Sequence, residues 1–264
     1  MKKIFVLCCI CSLVLLAACA RQPSLEMTPE NQARLEERWQ KFSALGQQGS
    51  LAPYRLQMSL RFGTEGDTRR VTALFWGNSQ RRLRLDVMAG VGATVAKILE
   101  DGQHFLVYSP TDDKAYFYQG AAKPLLQVGV PVPFNLEHLA DLLNGRYSAV
   151  FGKSFATGSL LPGDLAQYTL EGTPGGVLTL DAAGLPVAWS EKGDNSKGWK
   201  MEVAYDNAQP SLPQRLTLVH SNGKRAIVLI KDREKPATPF TDEQMTLSIP
   251  EGVPLLPLAK YRQP

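Results

Sequence analysis

Between residues 54 and 62 the chain alternates apolar and polar side chains without a break: Tyr54, Leu56, Met58, Leu60 and Phe62 stand between Arg55, Gln57, Ser59 and Arg61. A period of two places all five apolar groups on one face of an extended strand, and burial of one face only is the habit of antiparallel sheets. Strand-like runs recur at 70–76, 82–88, 94–100, 104–108, 115–118, 166–171, 177–181, 186–192, 199–205, 214–220 and 225–231. Gly, Asn and Asp separate many of these runs, and Ser221-Asn222-Gly223-Lys224 has the make-up of a tight hairpin turn. The pattern predicts a mainly β fold, one antiparallel sheet of about eleven strands. A sheet that long curls.

Two segments break the period and read as helices. Thr28-Pro29-Glu30 is a start signal, with Thr28 capping, Pro29 at the first helical position and Glu30 favoured by the helix dipole. Leu35, Trp39, Phe42 and Leu45 follow at helical spacing, so this helix lies with one stripe on something. From Pro133 to Gly145, Asn135 is placed to cap, Leu136, Leu139, Leu142 and Leu143 share a face, and Gly145 is placed to end the helix in the left-handed region. Both helices are expected to cover the sheet.

The first residues have the composition of an export signal. Lys2 and Lys3 precede an apolar run from Ile4 to Leu16, 13 residues against the roughly 20 needed to span a bilayer. Leu16-Ala17-Ala18-Cys19 then matches the pattern at which bacterial lipoprotein precursors are acylated on sulfur and cut. An ordinary cleaved signal with a chance cysteine is the other reading. Acylation of Cys19 would anchor the chain firmly, since each buried methylene contributes about 0.8 kcal/mol and two or more chains act together. Ala20, rather than Asp, after the cysteine resembles the outer-membrane sorting signal. Cys8, Cys9 and Cys11 lie in the leader, so the exported part keeps no thiol for a disulfide and must be held by its core. Without Lys2 and Lys3 the 29 basic residues become 27 against 25 acidic ones, a near-neutral balance that implies no nucleic-acid partner.

Enzymatic signals are weak. His104, His138 and His220 are far apart, and no pair has metal-ligand spacing with a carboxylate. Phe151-Gly152-Lys153-Ser154 lacks the earlier glycine of a phosphate loop, since Tyr147 stands there; no Gly-x-Ser-x-Gly elbow occurs. Gly90-Val91-Gly92 lacks the third glycine of a dinucleotide site. No metal, cofactor or catalytic residue is expected.

Several short motifs resemble the LolB family of outer-membrane lipoprotein receptors. They are the cysteine motif, the helix with Trp39, Leu74-Phe75-Trp76 followed by Arg82-Leu83-Arg84-Leu85, Val132-Pro133-Phe134-Asn135-Leu136, Trp199-Lys200, and Leu212-Pro213-Gln214-Arg215-Leu216. The resemblance implies an incomplete antiparallel β-barrel of about eleven strands with a helical lid over an apolar cavity (LolA/LolB-like). It implies a lipoprotein signal peptide over 1–18, a lipidated tether over 19–27, a half-barrel domain over 28–234 and a C-terminal extension over 235–264 that adds a strand or covers the cavity. The implied activity is acceptance of acylated lipoprotein cargo from a LolA-like periplasmic carrier, followed by insertion into the outer membrane, by a monomer tethered through its lipid and facing the periplasm. A second reading is a structural or sensory envelope lipoprotein of the same fold that binds a lipid or a partner protein.

The candidate cavity residues are Phe75, Leu83, Leu85, Phe105, Val107, Leu136, Leu139 and Leu143, most of which would look the same in a filled core. The resemblance makes Met88, Gly90, Val91 and Gly92 a membrane-contacting loop, with Val91 where the family has Leu and Gly90 where it has Pro. Apart from the resemblance, an apolar tip between glycines fits either a lipid contact or a kinked strand connection with Val91 turned inward.

Overall fold

The computed structural model describes residues 25–45, 52–78, 82–90, 92–120, 125, 132–191 and 197–260. Cys19 and Val91 lie outside them. Fourteen strands are present: β1 (Tyr54–Thr64), β2 (Asp67–Gly77), β3 (Leu83–Ala89), β4 (Ala93–Glu100), β5 (His104–Ser109), β6 (Lys114–Gln119), β7 (Phe155–Leu161), β8 (Leu165–Leu170), β9 (Val177–Leu180), β10 (Pro186–Ser190), β11 (Trp199–Asp206), β12 (Gln209–His220), β13 (Arg225–Glu234) and β14 (Leu255–Pro257). Three α-helices are described in full alongside them, α1 (Pro29–Leu45), α2 (Leu136–Leu143) and α3 (Tyr147–Phe151).

All fourteen strands form one sheet in the order β14-β6-β5-β4-β3-β2-β1-β13-β12-β11-β10-β9-β8-β7. The two ends, β14 and β7, do not pair, so the sheet is an open half-barrel of the class expected from the sequence. Every strand-like run read from the alternation is a strand. The additions are β7 and the short β14, which joins β6 in parallel, Leu255 beside Ala115 and Pro257 beside Phe117.

The alternation does what its period requires. Leu56, Met58 and Leu60 of β1, Ala73 and Phe75 of β2, and Leu83, Leu85 and Val87 of β3 all enter one buried cluster, and the helices cover that same face. Helix α1 begins as its cap predicts, with the Asn31 amide donating to Thr28 Oγ1 at 3.2 Å. In α2 the His138 amide donates to Asn135 Oδ1 at 2.7 Å. Gly145 ends α2 with φ +79° and its N–H donating to Leu142 O.

Residues after β13 cross the sheet's other face. Asn78 and Phe240 exchange two hydrogen bonds, Arg82 meets Asp242 at 2.7 Å, and Arg84 donates to the carbonyls of Gln244 and Thr246. Arg84 also lies over the Trp76 ring at 4.9 Å. Further along, Leu247 is buried with Tyr108 and Ala115, and Leu99, Leu106, Ile249 and Val253 pack around them. This strap therefore hides a second, smaller apolar patch and delivers β14 to the edge of β6. Truncating one buried leucine side chain costs about 2 kcal/mol or more. In a chain of this size Leu247→Ala is expected to lower the melting temperature by about 4–8 °C. Removing residues 240–264 is expected also to cause concentration-dependent self-association through the bared β6 edge, read by size-exclusion chromatography.

Candidate functional site

Helix α1 is fastened to one part of the sheet. Arg38, buried on α1 beside Leu35, Trp39 and Phe42, reaches Asp164 in the β7–β8 turn, with Nη2 2.7 Å from Oδ1 and Nη1 donating to the Asp164 carbonyl at 2.9 Å. Arg34 meets the same carboxylate at 3.1 Å. Trp39 Nε1 donates to Lys153 O at 3.1 Å, and Tyr168 of β8 donates its hydroxyl to Leu35 O at 2.8 Å. The Trp39 ring packs against Phe155 and Tyr168 at centroid distances of 4.8 and 5.0 Å. At the β9–β10 turn the helix comes so close that a Cβ on Gly184 would stand 2.8 Å from the Phe42 nitrogen, at a φ of +81° that glycine alone adopts readily. Among the described residues, every hydrogen bond and ion pair that ties α1 to a strand or strand turn goes to the β7–β8 end of the sheet. The buried stripe of α1, Leu35, Trp39 and Phe42, joins the apolar cluster of the inner face.

The eight residues expected to line a cavity do come together. Phe75, Leu83, Leu85, Phe105 and Val107 stand on the inner face of β2, β3 and β5, and Leu136, Leu139 and Leu143 on the buried face of α2. All eight belong to one contiguous cluster and none is more than 4% exposed, so they form a closed interior.

The expected membrane loop is the β3–β4 connection. Met88 is half-buried and sits at a register irregularity between Val87 and Met88. Gly90 (φ +55°) and Gly92 (φ +93°) are exposed, and a Cβ on either would meet nothing within 4 Å. Space is therefore open around both glycines.

A cleft of about 260 Å³ opens where α2 ends and β1 begins. Leu45, Pro53, Tyr54 and Leu212 form its apolar wall, and Asn144, Arg146, Ser211 and Lys235 its polar side. None of the eight cavity candidates lines it. Tyr54 separates the cleft from the interior. Among the described residues its hydroxyl has no hydrogen-bond partner, and it is 3.0 Å from where a Gly77 Cβ would stand, so glycine there makes room for the ring. Register places Tyr54, Gly77, Leu83 and Glu100 in one row across β1–β4. Burial, and then the charges of Asp141 and Glu100, raise the Tyr54 hydroxyl pKa well above its ordinary value. Arg233 of β13 fastens the nearby helix end by donating to Leu143 O at 2.7 Å and to Pro213 O. A cation at a helix C-terminus is electrostatically favourable.

The sequence reading missed Arg38, Asp164, Tyr54, Arg146 and Lys235. Arg38 had a faint signal, a charge lying on the flank of the apolar stripe of α1; Arg146 directly follows the glycine that stops α2. Among the described residues no group of three or more His, Cys, Asp or Glu gathers as a metal site, and no helix is long and apolar enough to cross a membrane.

No family model and no curated protein sequence matches this chain. Solved structures do. A candidate outer membrane lipoprotein-sorting protein domain from Vibrio parahaemolyticus aligns at 10% identity with a TM-score of 0.52, over 81% of this chain and 97% of that one. A DUF1329 family protein from Desulfovibrio piger aligns at 9% identity with a TM-score of 0.52, over the same shares. A LolA superfamily protein from Nitrosomonas europaea aligns at 12% identity with a TM-score of 0.49, over 82% and 97%. Identities this low speak to fold alone, and the fold this chain shares with the first two spans nearly their whole length.

The Arg38 clamp makes the cover pH-sensitive in a defined direction. Hydrogen bonding and charge attraction from Arg38 hold the Asp164 carboxyl below its usual pKa. A depressed carboxylate pKa stabilises the fold above the unfolded value near 4 and loses that contribution as pH falls through the folded one. Asp164→Asn is therefore expected to lower the urea midpoint at pH 7, with the gap to the native chain closing as the pH is taken below about 4.

Proposed function

We propose that this chain is an outer-membrane lipoprotein, tethered through Cys19 and facing the periplasm, that takes acylated lipoproteins from a LolA-like carrier and passes them into the bilayer. The observation that carries the reading is the asymmetric fastening of α1. Among the described residues its polar ties to the sheet all go to the β7–β8 end, and its buried stripe otherwise joins the apolar cluster. Such a cover swings open at the cost of apolar contacts that an incoming acyl chain replaces.

The energetics suit a carrier with no nucleotide. At about 0.8 kcal/mol per methylene, one long acyl chain costs on the order of 10 kcal/mol to expose to water. An apolar interior removes that cost, and direction follows from a better environment at each step: carrier, receptor, membrane. Without cargo the interior closes on itself, because packed side chains are more stable than an empty apolar hollow. The closed cluster around Phe75, Phe105 and Leu139 is that empty form. The exposure of Gly90 and Gly92, with open space around both, supports a membrane contact. One valine in lipid contributes about 1.5 kcal/mol, sufficient to bias release and too little to hold the protein on the membrane.

A Cys19→Ala version is expected to be water-soluble and to draw an acylated lipoprotein, but not its unacylated form, from a loaded carrier in a detergent-free pull-down. Equal indifference to both forms would end the transfer reading in favour of a structural or sensory lipoprotein of the same fold. Val91→Glu is expected to leave far-UV circular dichroism unchanged while cargo accumulates in the periplasmic fraction. Unchanged delivery to the outer membrane would remove the tip from the mechanism.

A further inference from the structure

We infer that the cleft between the end of α2 and the start of β1 binds the anionic head, a phosphate or carboxylate, of a molecule carrying an acyl chain. The inference rests on the acyl-chain reading above for the hydrocarbon-binding interior only. The lipid of an acylated lipoprotein cysteine carries no phosphate or carboxylate, so the molecule held here is a free amphiphile of the fatty-acid or phospholipid class.

Two cations and no carboxylate line the cleft. Arg146 is partly buried there, its side chain 28% exposed. Its Nε lies 3.3 Å from Asp141 Oδ1 but is not aimed to hydrogen-bond it, and neither terminal nitrogen has an acceptor among the described residues. A guanidinium presents a planar fork that matches an oxyanion in two places, and its unused donors face a site in which water is partly excluded. Lys235, just past the last residue of β13, makes no ion pair among the described residues; the adjacent Glu234 is engaged by Arg55 at 3.5 Å. The cleft thus carries more positive charge than its neighbours neutralise.

The opposite wall selects for what is attached to the anion. Leu45, Leu212 and the ring of Tyr54 offer hydrocarbon, and Tyr54 belongs to the buried cluster that runs inward under the helices. A free inorganic anion has no use for that wall. The volume of about 260 Å³ is below the roughly 300–1,000 Å³ of sites that enclose a whole small molecule. One end of an amphiphile fits, with its chain continuing past Tyr54.

The test uses the chain released from its anchor by Cys19→Ala, without detergent, and three probes: dodecyl phosphate, dodecanol and inorganic phosphate. Dodecyl phosphate is expected to bind about tenfold or more tighter than dodecanol, and inorganic phosphate to show no saturable binding. In Arg146→Gln/Lys235→Gln the phosphate preference is expected to fall to near one while dodecanol affinity stays unchanged. Arg146→Lys and Lys235→Gln, measured singly, give intermediate preferences and keep the test open if the double variant fails to fold. Equal binding of dodecyl phosphate and dodecanol by the native chain, or an unaltered preference in the variants, overturns the head-group site while leaving acyl binding intact. Inorganic phosphate binding as tightly as dodecyl phosphate overturns it in favour of a free-anion site. Failure of both dodecyl probes overturns the acyl-chain reading as well.

Discussion

Each long strand turns alternate side chains toward one apolar interior, and because β14 and β7 never meet, that interior has to be roofed from outside the sheet. A closed barrel satisfies its edges by hydrogen bonding and fills its lumen from its own strands. Here the roof is made of helices, and its attachment is a choice the chain makes residue by residue. Arg38, Trp39 and Tyr168 commit α1 to the β7–β8 side, and Gly184 lets it settle against the β9–β10 turn. The same arrangement that completes the core gathers the polar ties of α1, among the described residues, at one end of the sheet.

The open edges have their own solutions. On one side β14 pairs with β6, anchored by the Ala115 amide donating to Pro254 O at 3.0 Å. On the other, the Leu25 amide donates to Leu160 O at 2.9 Å, so the segment just before α1 begins to cover β7. Both devices use chain from outside the meander, and both blunt an edge that would otherwise offer its backbone to another molecule. The strap serves the opposite face too, hiding Tyr108 and Ala115 under Leu247. The outer surface of β6 still shows Phe117.

Much of this sheet was legible because its signal is local. A period of two survives tertiary context, so twelve strands could be read from alternation and turn residues. The strand β7 escaped because Phe155-Ala156-Thr157-Gly158-Ser159-Leu160-Leu161 has no alternation, with small residues where α1 comes close. The strand β14 escaped because Leu255-Leu256-Pro257, directly after Pro254, becomes a strand only when β6 stands beside it. Burial of the eight cavity candidates was readable in the same way, since apolar residues on the inner face belong inside whether that interior is filled or hollow. The polar residues around them were not readable. Arg38 finds Asp164 across 126 positions of sequence, and Arg146 and Lys235 share a cleft only because α2 and β13 end at the same rim.

Register fixes a last relation that no single residue shows. Tyr54, Gly77 and Leu83 share a row at the end of the strands where the cleft opens, whereas Val71 pairs with Ala89 at the other end, beside the exposed glycine tip. From Leu83 to Ala89 is seven residues, about 20 Å at roughly 3.3 Å per residue. Half of a bilayer's hydrocarbon core is about 15 Å deep. The inner face is thus long enough to hold an acyl chain extended along the strands, its head at the cationic rim and its methyl end toward the tip. A ligand so oriented would meet a membrane at the tip with its hydrocarbon leading, which makes the polar rim the last contact to release.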